Sequence, residues 1–291
     1  MTTTRREWLR RVATGSALAI VGPQLATPAG QAARSADRGV TLGVQSYSFR
    51  DRPLDAAIAA MQQLGLTSCE LWQGHLEPRG VPREEMRRWR EQTPIDEFRA
   101  VKAKFDRAAI RIYAYNLSFK DDFSDLEIER GFEMTRALGT DLITASANTA
   151  VVKRVAAVAA RQGVTVGMHN HSRVDPNEFA TPESFVSAMS LGPRIAVNLD
   201  IGHFTAANFD AVAFLRTHHA RIVTLHIKDR KRNDGPNVPF GEGDTPIGAV
   251  LRLLRDQRWA IPANIEYEYK GGDPVEEVRR CLEFCRRELH A

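Results

Sequence analysis

The sequence predicts an α/β fold of the (β/α)8 class, the TIM barrel, as a single domain over residues 38–291. Short apolar runs of strand length alternate with longer amphipathic segments of helix length, and each kind occurs eight times. Several amphipathic segments begin with an N-cap candidate followed by proline. The region approaches the roughly 250 residues typical of this barrel, and no linker, repeat or low-complexity tract divides it.

The elements follow one another at steady intervals. The predicted strands are 40–44, 68–72, 110–115, 142–146, 164–168, 195–199, 222–225 and 264–267. The predicted helices are 54–64, 94–108, 125–138, 149–162, 182–189, 209–218, 246–255 and 274–289. Thr93, Thr181, Thr245 and Asp273 each precede a proline and are the N-cap candidates. The charged segment 77–92 is predicted to add a short helix at the barrel mouth.

The first 32 residues are predicted to be a twin-arginine (Tat) signal peptide. Arg5 and Arg6 precede a weakly apolar run over residues 12–22, which is too short for a membrane span of roughly 20 residues. The segment ending at Ala32 has the small-x-small form of a cleavage site. We therefore expect export to the periplasm or the extracellular space without a stable membrane anchor. The alternative is an N-terminal tail whose arginines have no targeting role.

The charge of the chain argues against a nucleic-acid partner. The formal net charge is +4, but four arginines and Glu7 give residues 1–32 a charge of +3, so 4 − 3 = +1 remains for the rest. A protein that binds nucleic acid through phosphate contacts needs a basic surface, which this balance does not supply.

The last four predicted strands alternate apolar and polar residues. In the seventh, for example, Leu225 and Ile227 alternate with His226 and Lys228. One face of a barrel strand contacts the helices and the other faces the lumen. The predicted lumen face becomes polar at the carboxyl end of each of these strands, where catalytic residues of TIM barrels lie.

Four of these polar residues predict a metal site. His169, Asp200, His226 and Glu266 come from four successive strands. Two imidazoles and two carboxylates suit one divalent ion such as Mn, Co, Zn or Mg, and their formal charge of −2 would neutralise it. The alternative is a structural polar network, since a single buried histidine is more often a hydrogen-bonded core residue than a ligand.

Several motifs resemble the sugar phosphate isomerase/epimerase family of xylose isomerase-like TIM barrels. They are NLDIGH (198–203), HIKD (226–229), PFGEGD (239–244) and IEYE (265–268). The resemblance covers residues 40–290. It implies that Asp200, His226 and Glu266 are metal ligands, that His203 and Lys228 contact substrate, and that Glu266 also carries a proton. The epimerases of the family usually have glutamate where this chain has His169.

The resemblance implies proton abstraction beside a carbonyl, giving an enediolate. Glu266 is the expected base, and His171, Lys228 or Glu70 are the candidates for the second acid or base. Lys228 could instead hold the enolate oxygen. We expect an isomerase or epimerase. The alternative is a lyase or dehydratase that eliminates water or an aglycone from a keto-sugar, keto-glycoside or inosose, and histidine in place of glutamate favours it slightly.

The expected substrate is an unphosphorylated sugar. Phosphorylated sugars are largely cytoplasmic, and the 241–244 loop carries acids where a phosphate would need bare amides. His171, His203, Lys228, Glu70 and Trp72 are the candidate substrate contacts. Five aromatic residues either stack on a sugar ring or pack between barrel and helices: Tyr47, Phe49, Trp72, Tyr113 and Tyr115.

Two other classes of function are weighed against an isomerase. An endonuclease of the same fold would need more metal ligands and a basic groove. A non-catalytic sugar-binding module would bind sugar without turning it over. A homodimer is possible, although no apolar surface stripe in the sequence indicates one.

Overall fold

The computed structural model describes residues 36–291, and the predicted signal peptide lies outside them. Eight parallel strands pair in chain order, and the first also pairs with the last, with Leu42 opposite Ala263. The sheet is therefore a closed barrel, as predicted. The strands are β1 (Val40–Gln45), β2 (Ser68–Trp72), β3 (Arg111–Asn116), β4 (Leu142–Ala145), β5 (Thr165–His169), β6 (Ile195–Asp200), β7 (Ile222–Ile227) and β8 (Ala263–Ile265). A two-residue strand, Ala36–Asp37, pairs antiparallel with the start of β1.

The described chain has ten α-helices, nine between successive strands and one after β8. They are α1 (Leu54–Gln63), α2 (Arg83–Gln92), α3 (Ile95–Arg107), α4 (Asp125–Ala137), α5 (Val152–Gln162), α6 (Pro182–Met189), α7 (Ile201–Ala206), α8 (Ala211–His218), α9 (Ile247–Gln257) and α10 (Pro274–His290). The additional helix predicted within residues 77–92 is α2. Within residues 36–291, none of these helices combines the length and apolar character that a membrane crossing requires.

The predicted N-caps are confirmed at two of the four positions. The Thr181 hydroxyl accepts from the backbone N–H of Ser184 at the start of α6, and the Asp273 carboxylate accepts from that of Val275 at the start of α10. Thr93 and Thr245 do not cap, because the helices α3 and α9 begin one residue later and the following prolines occupy the cap position.

The short helix α7 was not predicted. Asp200, the last residue of β6, caps it: Asp200 Oδ1 accepts from the backbone N–H of His203 at 2.7 Å. The chain therefore turns back over the barrel directly after β6. This turn places the His203 side chain beside the end of β7, 3.1 Å from Lys228 Nζ.

The barrel lumen is polar and tightly packed below its mouth. Asn198, Thr224, His226 and Asn264 are all essentially inaccessible to solvent. Asn264 Nδ2 donates to Thr224 Oγ1 at 2.9 Å, which joins β8 to β7. Gly43 of β1 leaves room for this network, because a Cβ there would lie 2.2 Å from Asn264 Oδ1. The lumen face therefore becomes polar where the sequence alternation predicted it.

Candidate metal centre and substrate pocket

The four predicted ligands meet at the carboxyl ends of β5 to β8. His169, Asp200, His226 and Glu266 are all buried, and one donor atom from each lies within 4.8 Å of the others. His226 Nδ1 is 3.0 Å from both His169 Nε2 and Glu266 Oε2. Asp200 Oδ2 is 3.7 Å from His169 Nε2 and 3.9 Å from His226 Nδ1. These separations suit donors placed about 2.0–2.2 Å from one small cation.

Two buried carboxylate oxygens in the cluster support this fit. Within residues 36–291, Asp200 Oδ2 and Glu266 Oε2 accept no hydrogen bond of normal geometry, and the single ammonium group of Lys228, 3.1 and 2.9 Å away, is their shared ion-pair partner. Buried carboxylate oxygens that lack hydrogen bonds are costly, so such atoms usually mark an ion or a water. The two imidazoles add the nitrogen donors that divalent first-row metals favour. The residues present therefore fit a bound divalent ion.

Glu70 does not lie in the pocket wall, where the sequence placed it as a candidate substrate contact or second base. It is fully buried in the lumen, with its two oxygens each 2.9 Å from His226 Nε2. Gln45, Thr144 and Asn264 also donate to this carboxylate. Since its acceptor positions are occupied by barrel groups, the structure places Glu70 behind His226 and away from the pocket wall.

Asn170, which lies between His169 and His171 in the chain, joins the strands that carry His169 and Asp200. Its Nδ2 donates to the Asp200 carbonyl, and its Oδ1 accepts from the Asp200 backbone N–H, each at 3.0 Å. This pair of hydrogen bonds fixes the end of β5 against the end of β6. The positions of His169 and Asp200 are thereby coupled.

Lys228 lies beside the cluster and is surrounded by carboxylates. Its Nζ is 2.9 Å from Glu266 Oε2, 3.1 Å from Asp200 Oδ2 and 2.5 Å from Glu268 Oε2. Burial alone would lower the pKa of Lys228, but these three carboxylates raise it above its ordinary value. Lys228 is therefore a permanent ammonium group. Glu268 was not selected as a site residue, although it falls on the polar face of the sequence alternation.

The same charges divide the ligands into different protonation states. Burial and the imidazole of His226 lower the pKa of His169 well below its ordinary value. Burial would also lower the pKa of His226, but the carboxylates of Glu70 and Glu266 raise it well above that value. Burial would raise the pKa of Glu266, but Lys228 and His226 lower it strongly. Glu266 is consequently ionised.

His203 and His171 both line the pocket, and each has a charged partner that the sequence did not reveal. His203 Nδ1 is 2.6 Å from Arg230 NH1, and burial together with Lys228 lowers the pKa of His203 well below its ordinary value. His171 Nδ1 is 3.1 Å from Glu178 Oε2, seven residues further along the chain. The two imidazole rings are 5.5 Å apart.

The pocket above the cluster has a volume of about 290 Å³. Two of the five candidate aromatic residues line it: Trp72 and Tyr47 pack edge to face at 4.9 Å. The other three do not line it: Phe49 and Tyr115 are fully buried, and the Tyr113 hydroxyl donates to the carbonyl of Val223 at 2.6 Å. Polar groups complete the wall: Gln45, Asn116, Ser118, Ser146, His169, His171, His203, His226, Lys228, Glu266 and Glu268.

Comparison with known proteins agrees with this architecture. The L-ribulose-5-phosphate 3-epimerase UlaE of Escherichia coli is 30% identical over 91 residues, which are 31% of this chain and 32% of that protein. The aligned part thus spans about a third of that relative. Two solved structures share the fold. The 3-keto-D-glucoside 4-epimerase YcjR of E. coli is 16% identical, with a TM-score of 0.64, and the match covers 85% of this chain and 99% of that one. IOLI protein with a zinc atom is 15% identical, with a TM-score of 0.65, and the match covers 85% of this chain and 97% of that one. The model of the xylose isomerase-like TIM barrel family matches residues 58–288, and the chain belongs to that family.

Proposed function

We propose that the protein is a divalent-metal-dependent sugar isomerase or epimerase that abstracts a proton next to a carbonyl. One observation carries this proposal. Glu266, an ionised carboxylate whose Oε2 accepts no hydrogen bond of normal geometry, belongs to the candidate metal cluster and also lines the pocket, 2.9 Å from the Lys228 ammonium. A base, a fixed cation and a set of metal ligands therefore share one small cavity. The epimerase relatives are consistent with this chemistry.

His169, Asp200, His226 and Glu266 would hold the ion. When bound, a divalent ion supplies Lewis acidity, which acidifies the proton beside a carbonyl and stabilises the resulting negative charge. IOLI protein, which shares the fold, has a bound zinc atom, and this is consistent with a divalent ion in the present barrel, where Mn, Co, Zn and Mg are the candidates.

Glu266 is the proposed base, and Lys228 is the proposed electrostatic partner. Lys228 was considered both as an acid or base and as the group that holds the enolate oxygen. Its contacts favour the second role, because an ammonium group held by three carboxylates does not take up a proton. A fixed cation beside the pocket instead stabilises the oxygen on which negative charge develops as the proton leaves carbon.

His171 is the proposed second acid or base. It lies at the end of β5, and 38% of its side chain is exposed, so substrate and solvent protons can reach it. Glu178 accepts from its Nδ1 and leaves Nε2 available. If His171 returns a proton to carbon, the product is an epimer or isomer. If it protonates a leaving oxygen, the reaction is an elimination, the alternative function that histidine in place of glutamate at position 169 favours slightly.

An unphosphorylated sugar or keto-sugar fits the pocket best. Amide and hydroxyl groups of Gln45, Asn116, Ser118 and Ser146 line it and can bind sugar hydroxyls. Lys228 is the one lysine or arginine among the described lining residues, and three carboxylates already hold it. The described lining therefore offers no unpaired lysine or arginine to a phosphate group. The proposed export of the chain agrees with a substrate found outside the cytoplasm.

The test is solvent deuterium exchange. The metal-loaded protein is incubated in D2O with unphosphorylated ketoses and 3-keto-glycosides, and products are followed by NMR and mass spectrometry. Deuterium at the carbon beside the carbonyl, with the sugar otherwise intact, supports the proposal, whereas loss of water or aglycone supports the lyase. Saturable binding with neither change would overturn both and favour a binding module. Glu266→Gln should abolish exchange, while Glu276→Gln, on the exposed face of α10, should leave it intact.

A further inference from the structure

We propose that Arg230 is a positioning residue that fixes His203 in the tautomer with its proton on Nε2, so that His203 presents an N–H donor to the pocket beside the charge of Lys228. This inference rests on the proposed function in taking the pocket to be the substrate site. The tautomer itself is independent of any reaction.

His203 lies between two cationic side chains. Its Nδ1 is 2.6 Å from Arg230 NH1, and its Nε2 is 3.1 Å from Lys228 Nζ. Only 13% of its side chain is exposed, so bulk water does not replace either contact. Both neighbours approach as hydrogen-bond donors, yet a neutral imidazole has a single acceptor nitrogen. One of the two contacts therefore cannot be a hydrogen bond.

The chemistry of the two cations decides which contact is the hydrogen bond. A guanidinium group stays protonated and has no acceptor atom, so a proton on Nδ1 of His203 would directly face an Arg230 N–H at 2.6 Å. Lys228 can instead direct its protons to carboxylates, of which Glu268 is 2.5 Å away and Glu266 is 2.9 Å away. Nδ1 must therefore accept from Arg230, which leaves the His203 proton on Nε2.

Arg230 is itself held firmly in this position. Its NH1 also donates to Ser172 Oγ at 2.7 Å, and its Nε and NH2 donate to the Gly235 carbonyl at 3.0 and 2.6 Å. The residue is 8% exposed. The guanidinium group thus cannot turn away from His203 without losing three hydrogen bonds.

The result is an N–H donor at the pocket wall. His203 Nε2–H lies 3.1 Å from Lys228 Nζ, whose own protons the neighbouring carboxylates accept, and Asp200 Oδ2 is 3.9 Å away, beyond hydrogen-bond distance. An oxygen placed against Nε2 would accept from it, and the nearby ammonium charge would bind that oxygen more tightly as it gains negative charge. The carbonyl oxygen of a keto-sugar is an acceptor of this kind.

Nitrogen NMR of histidine-labelled full-length protein tests the tautomer directly, in metal-free and zinc-loaded samples. His203→Gln identifies the signals of His203 by their loss. We expect wild-type Nδ1 to have the chemical shift of an unprotonated nitrogen and Nε2 that of an N–H. Arg230→Met should remove this preference, whereas Arg230→Lys, which keeps an obligate donor, should retain it. Protonation of wild-type His203 on Nδ1, or an unchanged tautomer in Arg230→Met, would overturn the inference.

Two controls separate positioning from a loosened loop. Ser172→Ala removes one anchor of Arg230 but leaves the Nδ1 contact, so the tautomer should persist. Arg232→Met changes an exposed arginine two residues away and should alter neither tautomer nor turnover. With a substrate in hand, Arg230→Met should lower kcat/KM by about tenfold to a hundredfold, mainly through kcat. Absence of turnover in every variant would count against the proposed function and leave the NMR result standing.

Discussion

Both carboxylate oxygens of Glu70 lie 2.9 Å from Nε2 of His226, although the two residues are 156 positions apart in the chain. The contact leaves Nδ1 of His226 directed at Glu266 and His169. A histidine that binds a metal through one nitrogen commonly donates from the other to a carboxylate, which fixes the ring and raises its basicity. Glu70 thus has the position of a residue that orients a metal ligand.

Removing the charge of Glu70 should weaken metal binding. Glu70→Gln keeps the size of the side chain but loses the anionic partner of His226, so metal affinity should fall by about 10- to 100-fold, as measured by competition with a chelator of known affinity. Glu77→Gln is the control, because Glu77 is a buried carboxylate that pairs with Arg90 outside the cluster. Equal affinity in wild type and Glu70→Gln would refute the orienting role.

Metal affinity should also rise with pH. A histidine must lose its proton to bind a metal through Nδ1, and Glu70 and Glu266 raise the pKa of His226 well above 6.5 despite its burial. Below that raised pKa a proton competes with the metal. The dissociation constant of the metal should therefore fall as pH increases, and it should level off once the pH exceeds the pKa of His226. Calorimetry in buffers of different ionisation enthalpy should detect proton release on binding. A pH-independent dissociation constant would contradict this prediction.

Loss of the Lys228 ammonium should destabilise the metal-free protein. Lys228→Met leaves the carboxylates of Asp200 and Glu266 close together without a cation, and breaking such a buried pair costs about 3–5 kcal/mol. Urea unfolding of metal-free protein measures the difference, and adding metal should restore part of it. Lys104→Met, which removes an exposed ion pair with Asp55, should cost at most about 1 kcal/mol. Similar losses in the two variants would argue against the buried charge network.

The proposed export can be tested apart from the catalytic site. Residues 1–37 fused to a reporter that folds before export should direct it across the inner membrane of a bacterium with an active Tat system. Replacing Arg5 and Arg6 by lysine should retain the reporter in the cytoplasm. Export that persists in the double variant, or in a strain without the Tat translocase, would refute the assignment.

The sequence predicted the features that depend on local pattern. Strand alternation and strand ends identified His169 and His226 as neighbours at the barrel mouth, because both signals lie within a few residues. The position of Glu70 could not be obtained in this way. Glu70 lies in the middle of β2, below the mouth, and a register shift between Cys69 and Glu70 occurs where β2 pairs with β3. The local sequence does not predict that shift.

The partners of the pocket histidines were missed for a related reason. Arg230 and Glu178 lie in loops after β7 and β5, and loop conformation brings them to His203 and His171. A charged loop residue is usually solvated, so its residue type gave no signal. The motif around His226 did indicate that the segment after β7 belongs to the site, and Arg230 lies one residue beyond it.

The most direct test of the account is the number of divalent ions that each chain binds. Elemental analysis and calorimetric titration of the purified protein should give one ion per chain. Single substitutions of His169, His226 or Asp200 by alanine should abolish stoichiometric binding, while His218→Ala, at the end of α8, should leave it unchanged. A wild-type protein that carries no ion and takes up none when Mn, Co, Zn or Mg is added would contradict the central claim.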